Sequence, residues 1–361
     1  MLVQADVLRR LVSEIFLHAG SGQEEAGRIG HYLVDSNLAG HDSHGVIRVP
    51  RYVQMLRDGR IHANRTIKIV RDTDVLAVVD GQFGFGQSIA PQAVQLGIDK
   101  AKKHGVAIVA LRNTGHIGRV GNWGEMAAEA GLVSVHFVNA AGSILVAPFG
   151  GTDRRFSTAP FCVGVPRPGD PPLLLDFATS VVAEGKVLVA AKGGKPVPPG
   201  SLIDENGNLS TDPIVLYGPA GPDAPPDQRN GKGAIRAMGE HKGSGVALMC
   251  EILGGALTGN GTAGPGSRQF SNGMLSIYIA PDLLGTDDFF AAEMKQYVDF
   301  VKSANPATPG GEVLVPGEPE RRTAATRSAE GIPLTDEVWQ SLLETARKVG
   351  IGENSLNSLV Q

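Results

Sequence analysis

Two histidines, His41 and His44, stand three positions apart in the stretch AGHDSHGVIRVPRY, which also carries Ser43, Arg48 and Arg51. Imidazole transfers protons near neutral pH, and a guanidinium one helical turn further on can clamp a carboxylate through two hydrogen bonds. An acid/base group beside an anion clamp favours chemistry on a 2-oxo or 2-hydroxy acid. The plain alternatives are a capped helix with a partly buried imidazole, and arginines on a solvated surface.

A second polar cluster is NTGHIGRVGNWGE, where His116 follows a predicted strand and is surrounded by glycines. Closely spaced glycines let backbone approach a ligand, and the helix start that follows offers free N–H groups to a phosphate. A tight strand-to-helix turn with a surface histidine would give the same spacing. The polar residues Asn113 and Arg119 in this turn favour a site.

Two further motifs end a strand and begin a helix. In LLLDFATS, Asp176 could accept from a ribose hydroxyl or orient a histidine, or it could only cap a helix. In GEHKGSG, His241 and Lys242 stand between glycines with Ser244 behind them, which suits a phosphate or carboxamide contact or a plain capped helix. The residues alone leave both alternatives open.

The familiar nucleotide and metal motifs are missing from the sequence. No G-x-G-x-x-G follows a predicted strand, the glycine-rich turn GQFGFGQ has the wrong spacing, and GxxxxGK[ST] does not occur. A zinc site needs three or four ligands, and neither cysteine completes a set with His41 and His44. We therefore predict no metal and keep a metal-dependent hydrolase only as a less favoured alternative.

Length and composition limit the class of protein. A chain of 361 residues exceeds the usual size of one core, so we predict two domains. A net charge of −4 without a basic stripe argues against nucleic acid as the partner. Cys162 and Cys250 lie in apolar runs, as in a reduced, cytoplasmic protein, and no apolar run approaches the ~20 residues of a membrane span.

Apolar spacing predicts the elements that must position these residues. Helices are expected at Gln4–His18, Glu24–Leu38 and about Val46–Leu56, the last beginning just after the HDSHG motif. Strands and helices then alternate through the middle of the chain, which predicts an α/β protein and by itself favours a parallel sheet. Residues 193–225 are rich in Pro and Gly and predict a long loop, and a strong helix is expected at Gly239–Leu257.

Seven motifs, taken together, resemble one enzyme family. GHDSHG with Arg48 and Pro50, GHIGRVG, APFGG, LLLDFATS, VPPGSLIDENG, EHKGSGVALMCEILGGAL and VPGEPE occur in this order along nearly the whole chain. They resemble the malate/L-lactate dehydrogenase family, whose members lack a Rossmann domain. The resemblance implies an NAD(P)-dependent reductase of 2-oxo acids to 2-hydroxy acids, built as a homodimer on a non-Rossmann α/β fold with a mostly antiparallel, mixed central sheet flanked by helices.

The resemblance also implies a division of labour between domains. Residues 1–118 plus 300–361 would form a helical substrate and dimerisation domain, and residues 119–299 an NAD(P)-binding domain with the mixed sheet. His44 would be the proton donor to the carbonyl oxygen and His116 would line the nicotinamide and substrate, with Arg48 gripping the carboxylate and Ser43 beside it. His41 would be structural. The implied cofactor-binding residues come from separated stretches: Gly118, Arg119, Val120, Leu174, Leu175, Asp176, Phe177, Ala178, His241, Lys242, Ser244, Asn272, Gly317, Glu318, Pro319 and Glu320.

Two departures from the family pattern bear on the substrate. Relatives usually carry G-T-N-P where this chain has Ser157–Pro160 as STAP, so an amide side chain is absent and the substrate range is open. The segment AAGSILVAP after Asn139 is longer than in many relatives, and no roles are assigned there. Alternatives on the same fold are a C=N reductase of cyclic imino acids or a ureidoglycolate dehydrogenase; a non-catalytic nucleotide-binding dimer is the plainest one.

Overall fold

The computed structural model describes residues 1–191, 196–219, 230–264, 269–285 and 287–360. Within these residues the α-helices are α1 (Ala5–His18), α2 (Gln23–Leu38), α3 (Val49–Arg57), α4 (Gly86–His104), α5 (Gly121–Glu129), α6 (Glu184–Ala191), α7 (Ile214–Tyr217), α8 (His241–Cys250), α9 (Asp287–Lys302), α10 (Glu318–Glu330), α11 (Asp336–Lys348) and α12 (Glu353–Leu359). The strands are β1 (Leu2–Val3), β2 (Lys68–Asp72), β3 (Leu76–Asp80), β4 (Val106–Thr114), β5 (Val133–Ala141), β6 (Val146–Ala147), β7 (Pro160–Val165), β8 (Leu173–Ala178), β9 (Leu202–Ile203), β10 (Leu209–Ser210), β11 (Ala234–Arg236), β12 (Ser271–Ile279) and β13 (Ile332–Pro333).

A seven-stranded sheet in the order β2-β3-β4-β12-β5-β7-β8 organises the molecule. β3 and β4 run parallel, with α4 as the crossover between them, and the other neighbouring pairs in this sheet run antiparallel. The mixed, mostly antiparallel sheet is therefore confirmed, and the parallel sheet favoured by simple alternation is wrong. The reason is β12, which comes from far along the chain and lies between β4 and β5.

Apolar side chains fill three cores. The first packs α1, α2 and α3 against α11 and α12, and the spacing of Leu8, Leu11 and Ile15 buries one stripe of α1 completely. The second lies beneath the seven-stranded sheet, where Trp123 and Tyr278 are fully buried. The third joins α8 to a four-stranded sheet of β10-β9-β11-β6.

Most predicted elements are present, with two corrections near the motifs. The helix expected at Val46–Leu56 begins as a 3₁₀ turn at Val46–Arg48 and continues as α3, and a separate 3₁₀ turn at Asp42–His44 precedes it. Pro50 lies in the first turn of α3, where its missing N–H needs no partner. The helix expected at Gly239–Leu257 is α8 continued by a π-helix at Glu251–Leu257. The predicted loop at 193–225 contains β9, β10 and α7, and its residues 193–195 and 220–225 lie outside the described residues.

The predicted division into residues 1–118 plus 300–361 and residues 119–299 stays a prediction. β2, β3 and β4 from the first part hydrogen-bond into the same sheet as the strands of the second part. Among the described residues, no helix has the length and apolar character needed to cross a membrane.

Candidate active site

A cleft of about 2640 Å³ brings the first histidine motif together with segments from the middle and the end of the chain. Its acid/base wall comprises Ser43, His44 and Arg48, with His116 in ring contact with His44. Its β8 wall comprises Phe177, Ala178, Pro319 and Glu320. Other parts of the cleft are lined by Gly142, Ser143, Ile144, Glu184, Lys186, Pro196–Pro199 and Phe270.

Hydrogen bonds from α2 and an ion pair with α10 hold the turn that carries His44. The Asn37 side chain accepts from the backbone N–H of Val46 at 2.8 Å and donates to Asp42 at 2.7 Å. Asp42 also pairs with Arg327 of α10 through both carboxylate oxygens, at 2.6 and 3.1 Å. This bidentate ion pair fixes the short 3₁₀ turn, so Asp42 has a structural role.

Ser43 and Arg48 are tied to each other and to the histidine. The Arg48 Nε–H donates to the Ser43 carbonyl at 2.5 Å, and the Ser43 hydroxyl lies 3.1 Å from His44 Nδ1. Gly185 of α6 packs so closely on Ser43 that a Cβ there would come within 2.8 Å of the serine Cβ. Within the described chain Arg48 forms no ion pair with a carboxylate, which leaves its guanidinium available to an anion.

His116 lies on the loop after β4, with its ring stacked on His44 at a centroid distance of 5.5 Å. The Asn272 side chain holds this loop by accepting from the backbone N–H of Ile117 at 3.0 Å. The predicted cofactor residue Asn272 therefore contacts the His116 loop, and its amide also donates to the Asn139 carbonyl at 2.7 Å.

Burial keeps both histidines uncharged. Desolvation, with smaller contributions from Arg48, His41 and Arg119, lowers the pKa of His44 to about 3. Desolvation followed by Arg48 lowers the pKa of His116 well below its usual value. Each ring is therefore neutral at physiological pH and able both to donate and to accept a hydrogen bond.

The Asp176 region connects the β8 wall to the helix after His116. The Asp176 carboxylate accepts from the backbone N–H of Gly121 at 2.8 Å, so it caps α5, and burial raises its pKa. Arg119 is buried against Asn122, to which it donates at 2.7 Å, and its Nε has no partner among the described residues. The sequence neighbours of Arg119 and Asp176 include the other predicted cofactor-binding residues Gly118, Val120, Leu174 and Leu175. Asp176 thus contacts the first residue of α5 from within β8, and its role toward a cofactor stays a prediction.

Only part of the predicted cofactor-binding segment Gly317–Glu320 lines the cleft. Gly317 and Glu318 begin α10, where Glu318 accepts from the Val315 N–H, while Pro319 and Glu320 reach the cleft. His41 lies 3.6 Å from Glu320, and this contact lowers the pKa of Glu320.

At α8, by contrast, none of the predicted residues His241, Lys242 and Ser244 lines the cleft. His241 and Lys242 are exposed, and the Ser244 hydroxyl accepts from the Phe149 N–H at 3.0 Å. The acid/base residues thus come together, whereas the predicted cofactor residues are only partly assembled.

The STAP segment is anchored in the interior. The Ser157 hydroxyl donates at 2.7 Å to Glu251, a buried carboxylate at the start of the π-helix. Ala159 is buried with φ +33°, a backbone conformation that an asparagine adopts more easily than an alanine. The absent amide is thus at a strained, enclosed position near β8.

Sequence reasoning missed two residues behind His116. The hydroxyl of Tyr52 lies 2.5 Å from His116 Nδ1, and the Gln87 side chain donates to that hydroxyl at 3.2 Å. Tyr52 ends the first motif, four residues after Arg48, so helical spacing on α3 could have indicated it. Gln87 lies in GQFGFGQ, and no local signal connects that turn to His116.

Among the described residues no group of three or more His, Cys, Asp or Glu side chains is placed to hold a metal ion. A dinucleotide fits better, because the cleft has a volume of about 2640 Å³ and the buried Arg119 Nε lacks a partner among the described residues close to the β8 wall.

Comparison with known proteins places these features in one family. The malate/L-lactate dehydrogenase family model matches residues 3–343. Hydroxycarboxylate dehydrogenase B of Escherichia coli K12 is 42% identical over 362 residues, covering 99% of this chain and 97% of that protein. The L-sulfolactate dehydrogenase of Methanocaldococcus jannaschii is 31% identical, covering 97% of this chain and 98% of its own.

Solved structures agree with the sequence relatives. A putative malate/lactate dehydrogenase from E. coli superposes with a TM-score of 0.91 at 41% identity, covering 99% of this chain and 98% of that one. Malate dehydrogenase from Pyrococcus horikoshii superposes with a TM-score of 0.83 at 29% identity, covering 98% and 96%. The fold, the paired histidines and these relatives agree, and the chain belongs to the malate/L-lactate dehydrogenase family of oxidoreductases.

Proposed function

We propose that this protein catalyses the reversible reduction of 2-oxo acids to 2-hydroxy acids with NAD or NADP. The observation that carries the proposal is the stacked pair His44 and His116 beside Arg48, a cation without a carboxylate partner in the described chain. An anion clamp beside neutral imidazoles is the combination that a 2-oxo acid requires, with a carboxylate to grip and a carbonyl oxygen to protonate.

The protein's own groups would divide the work as follows. Arg48 holds the substrate carboxylate and aligns the carbonyl with the histidine pair. One proton is taken up from solvent for each carbonyl reduced, and it reaches the oxygen through His44 or His116. A nicotinamide dinucleotide supplies the hydride, and Phe177, Ala178, Pro319 and Glu320 would hold it along the β8 wall, while the exposed Lys242 would attract its negative charge only from outside the cleft lining.

The C=N reductase alternative is not favoured. The more similar relatives are named as dehydrogenases of hydroxy acids, lactate or sulfolactate. A Δ1-piperideine-2-carboxylate reductase from Pseudomonas syringae does share the fold, with a TM-score of 0.81 at 29% identity. A substrate panel that contains both classes separates the two activities.

A homodimer is the assembly that the surface supports best. Leu248, Met249, Ile252 and Leu257 form an apolar stripe along α8 and the π-helix, each more than 40% exposed. An exposed patch of this kind marks an interaction site. Light scattering should give twice the chain mass of 37.7 kDa, and Ile252→Glu should shift it toward one chain. Cys162 and Cys250 are both free and buried, which suits a cytoplasmic protein.

The direct test is oxidation of NADH and NADPH by the purified protein with 2-oxo acids. Phenylpyruvate, pyruvate, oxaloacetate and 2-oxoglutarate should be offered beside a cyclic imino acid. Turnover with at least one 2-oxo acid is the expected result, and no turnover across that whole set would overturn the proposal.

A further inference from the structure

Two buried polar groups from different elements form a hydrogen-bonded chain that ends at His116. Tyr52 of α3 is 2% exposed and Gln87 of α4 is 1% exposed. The Gln87 Nε2 donates to the Tyr52 oxygen at 3.2 Å, and that oxygen lies 2.5 Å from His116 Nδ1. Tyr52 and Gln87 do not line the cleft, and neither does His116, which is half-buried and stacks on the cleft residue His44. Tyr52 and Gln87 would therefore act on the chemistry through the His116 ring.

The polarity of this chain follows from what each group can do. An amide nitrogen only donates, so the Tyr52 oxygen accepts from Gln87, and its single proton must go to His116 Nδ1. The Gln87 Oε1 has no hydrogen-bond partner among the described residues. If the amide were rotated by 180°, the nitrogen would take that place and both of its N–H donors would be buried without an acceptor. Orphaned buried N–H groups are rarer than orphaned acceptors.

A ring nitrogen that accepts a hydrogen bond carries no proton. Because His116 is neutral and its Nδ1 accepts from Tyr52, its one N–H must be on Nε2, on the side of the ring away from the tyrosine. Burial raises the pKa of Tyr52 to about 12, so the phenol keeps its proton at neutral pH. His116 therefore presents a donor of fixed direction.

His44 lacks such a constraint. Its Nδ1 faces the Ser43 hydroxyl at 3.1 Å, and a serine hydroxyl rotates to donate or to accept. Both tautomers of His44 are compatible with that contact. The two histidines are thus stacked but not equivalent.

We propose that Tyr52 and Gln87 are positioning residues that hold His116 as its Nε2–H tautomer, which makes His116, rather than His44, the hydrogen-bond donor to the substrate carbonyl oxygen. The catalytic part of this proposal rests on the proposed reduction of 2-oxo acids. The tautomer of His116 can be measured even if the protein has no activity. It differs from the sequence-based preference for His44 as the donor, which stays a prediction.

Nitrogen-15 NMR of the full-length protein with labelled histidine tests the tautomer directly, since the shift of each ring nitrogen reports whether it carries a proton. His116→Gln identifies the signals by their loss. The wild-type ring should show a protonated Nε2 and a bare Nδ1. Tyr52→Phe removes only the hydroxyl and should give a mixture of tautomers, whereas the matched control Ser43→Ala should leave His116 unchanged.

Gln87→Glu makes the sharpest variant when the spectrum is recorded at a pH high enough to ionise the buried carboxyl, because a carboxylate only accepts. Tyr52 would then donate to the new carboxylate and accept from His116, so the ring should switch to the Nδ1–H form. An Nδ1–H ring in the wild type, or an Nε2–H ring that persists in both Tyr52→Phe and Gln87→Glu, would overturn the proposal. If either variant fails to fold, the wild-type spectrum still decides.

Kinetics connect the tautomer to turnover. Tyr52→Phe should lower kcat about 10-fold with KM for the 2-oxo acid changed less than about twofold, since a tautomer mixture weakens the donor and not the carboxylate clamp. Absence of any 2-oxo acid turnover in the wild type would remove the proposed function and leave the NMR result standing. A correct tautomer shift with unchanged kcat would show that His116 is not the donor.

Discussion

On the acid/base wall the polar side chains are fixed by several partners, whereas the β8 wall is built largely of backbone and apolar surface. His116 is held by Tyr52 and by its own loop, and the His44 turn is pinned through Asn37 and Asp42. Phe177, Ala178 and Pro319 offer surface instead. In the proposed reaction, the wall that would transfer protons is therefore held in a fixed geometry, while the wall that would hold the dinucleotide offers mainly shape and a few charges.

The comparison is tested most severely by removing the histidines in turn. His116→Ala should lower kcat/KM by about 10²- to 10⁴-fold, the usual contribution of a positioned acid or base, and His44→Ala by less. His136→Gln is the control, because His136 is a histidine outside the cleft lining, fully buried on β5 between Ser134 and Ser276. A larger loss for His44→Ala in steady-state assays would reverse the roles.

Arg48 should give the next largest effect. Arg48→Lys keeps the charge but loses the two-pronged grip, so KM for the 2-oxo acid should rise roughly 10- to 100-fold, equivalent to the ~1.5–3 kcal/mol of a hydrogen bond to a charged group. Arg51→Lys, at an exposed position three residues further on, should change KM about threefold or less with a monocarboxylate. Equal effects of the two substitutions would show that Arg48 is not the clamp.

The loss of folding stability at low pH should be similar for His44, on the acid/base wall, and for His136, in the core of the sheet. Burial lowers the pKa of both His44 and His136 to about 3, whereas the unfolded rings titrate near 6.5. Between these values the unfolded chain binds more protons, so the free energy of unfolding should fall as pH falls from 6.5 toward 3, by up to ~1.4 kcal/mol per pH unit for each ring. Denaturant titrations of His136→Gln should show a shallower pH slope; an unchanged slope would mean that the ring is charged in the folded state.

The smallest effect is expected at α8. Lys242→Gln removes an exposed charge that lies outside the cleft lining, so KM for the dinucleotide should rise about threefold at low salt and less at high salt. His18→Gln, a surface change on α1, serves as the control. A rise of a hundredfold would mean that the dinucleotide reaches α8 as tightly as the substrate reaches Arg48, and the contrast between the walls would fail.

The sequence predicted the two walls with different success, for a physical reason. His44, Arg48 and Ser43 are neighbours in the chain, so their density alone indicated a site. The residues of the β8 wall come from separated segments, and only the family resemblance connected them. Neither local residue density nor the family resemblance identified Tyr52 and Gln87, because their hydrogen bonds depend on how α3 and α4 pack.

The prediction of the fold was limited in the same way, by contacts between distant parts of the chain. The amphipathic pattern of α1 and α2 was sufficient for their bounds within about one residue, since local spacing dictates which face is buried. Strand alternation could not show that β12 separates β4 from β5, because pairing between distant strands leaves no local mark.

The central position of β12 has a consequence for how the protein is made. β4 and β5 each pair with β12 along most of their length, yet β12 is the last strand of this sheet to leave the ribosome. Until then both strands present open edges, which are templates for aggregation. We expect the nascent chain to depend on chaperones until Ile279 has emerged, and truncations before Ser271 to be insoluble whichever site residues they retain.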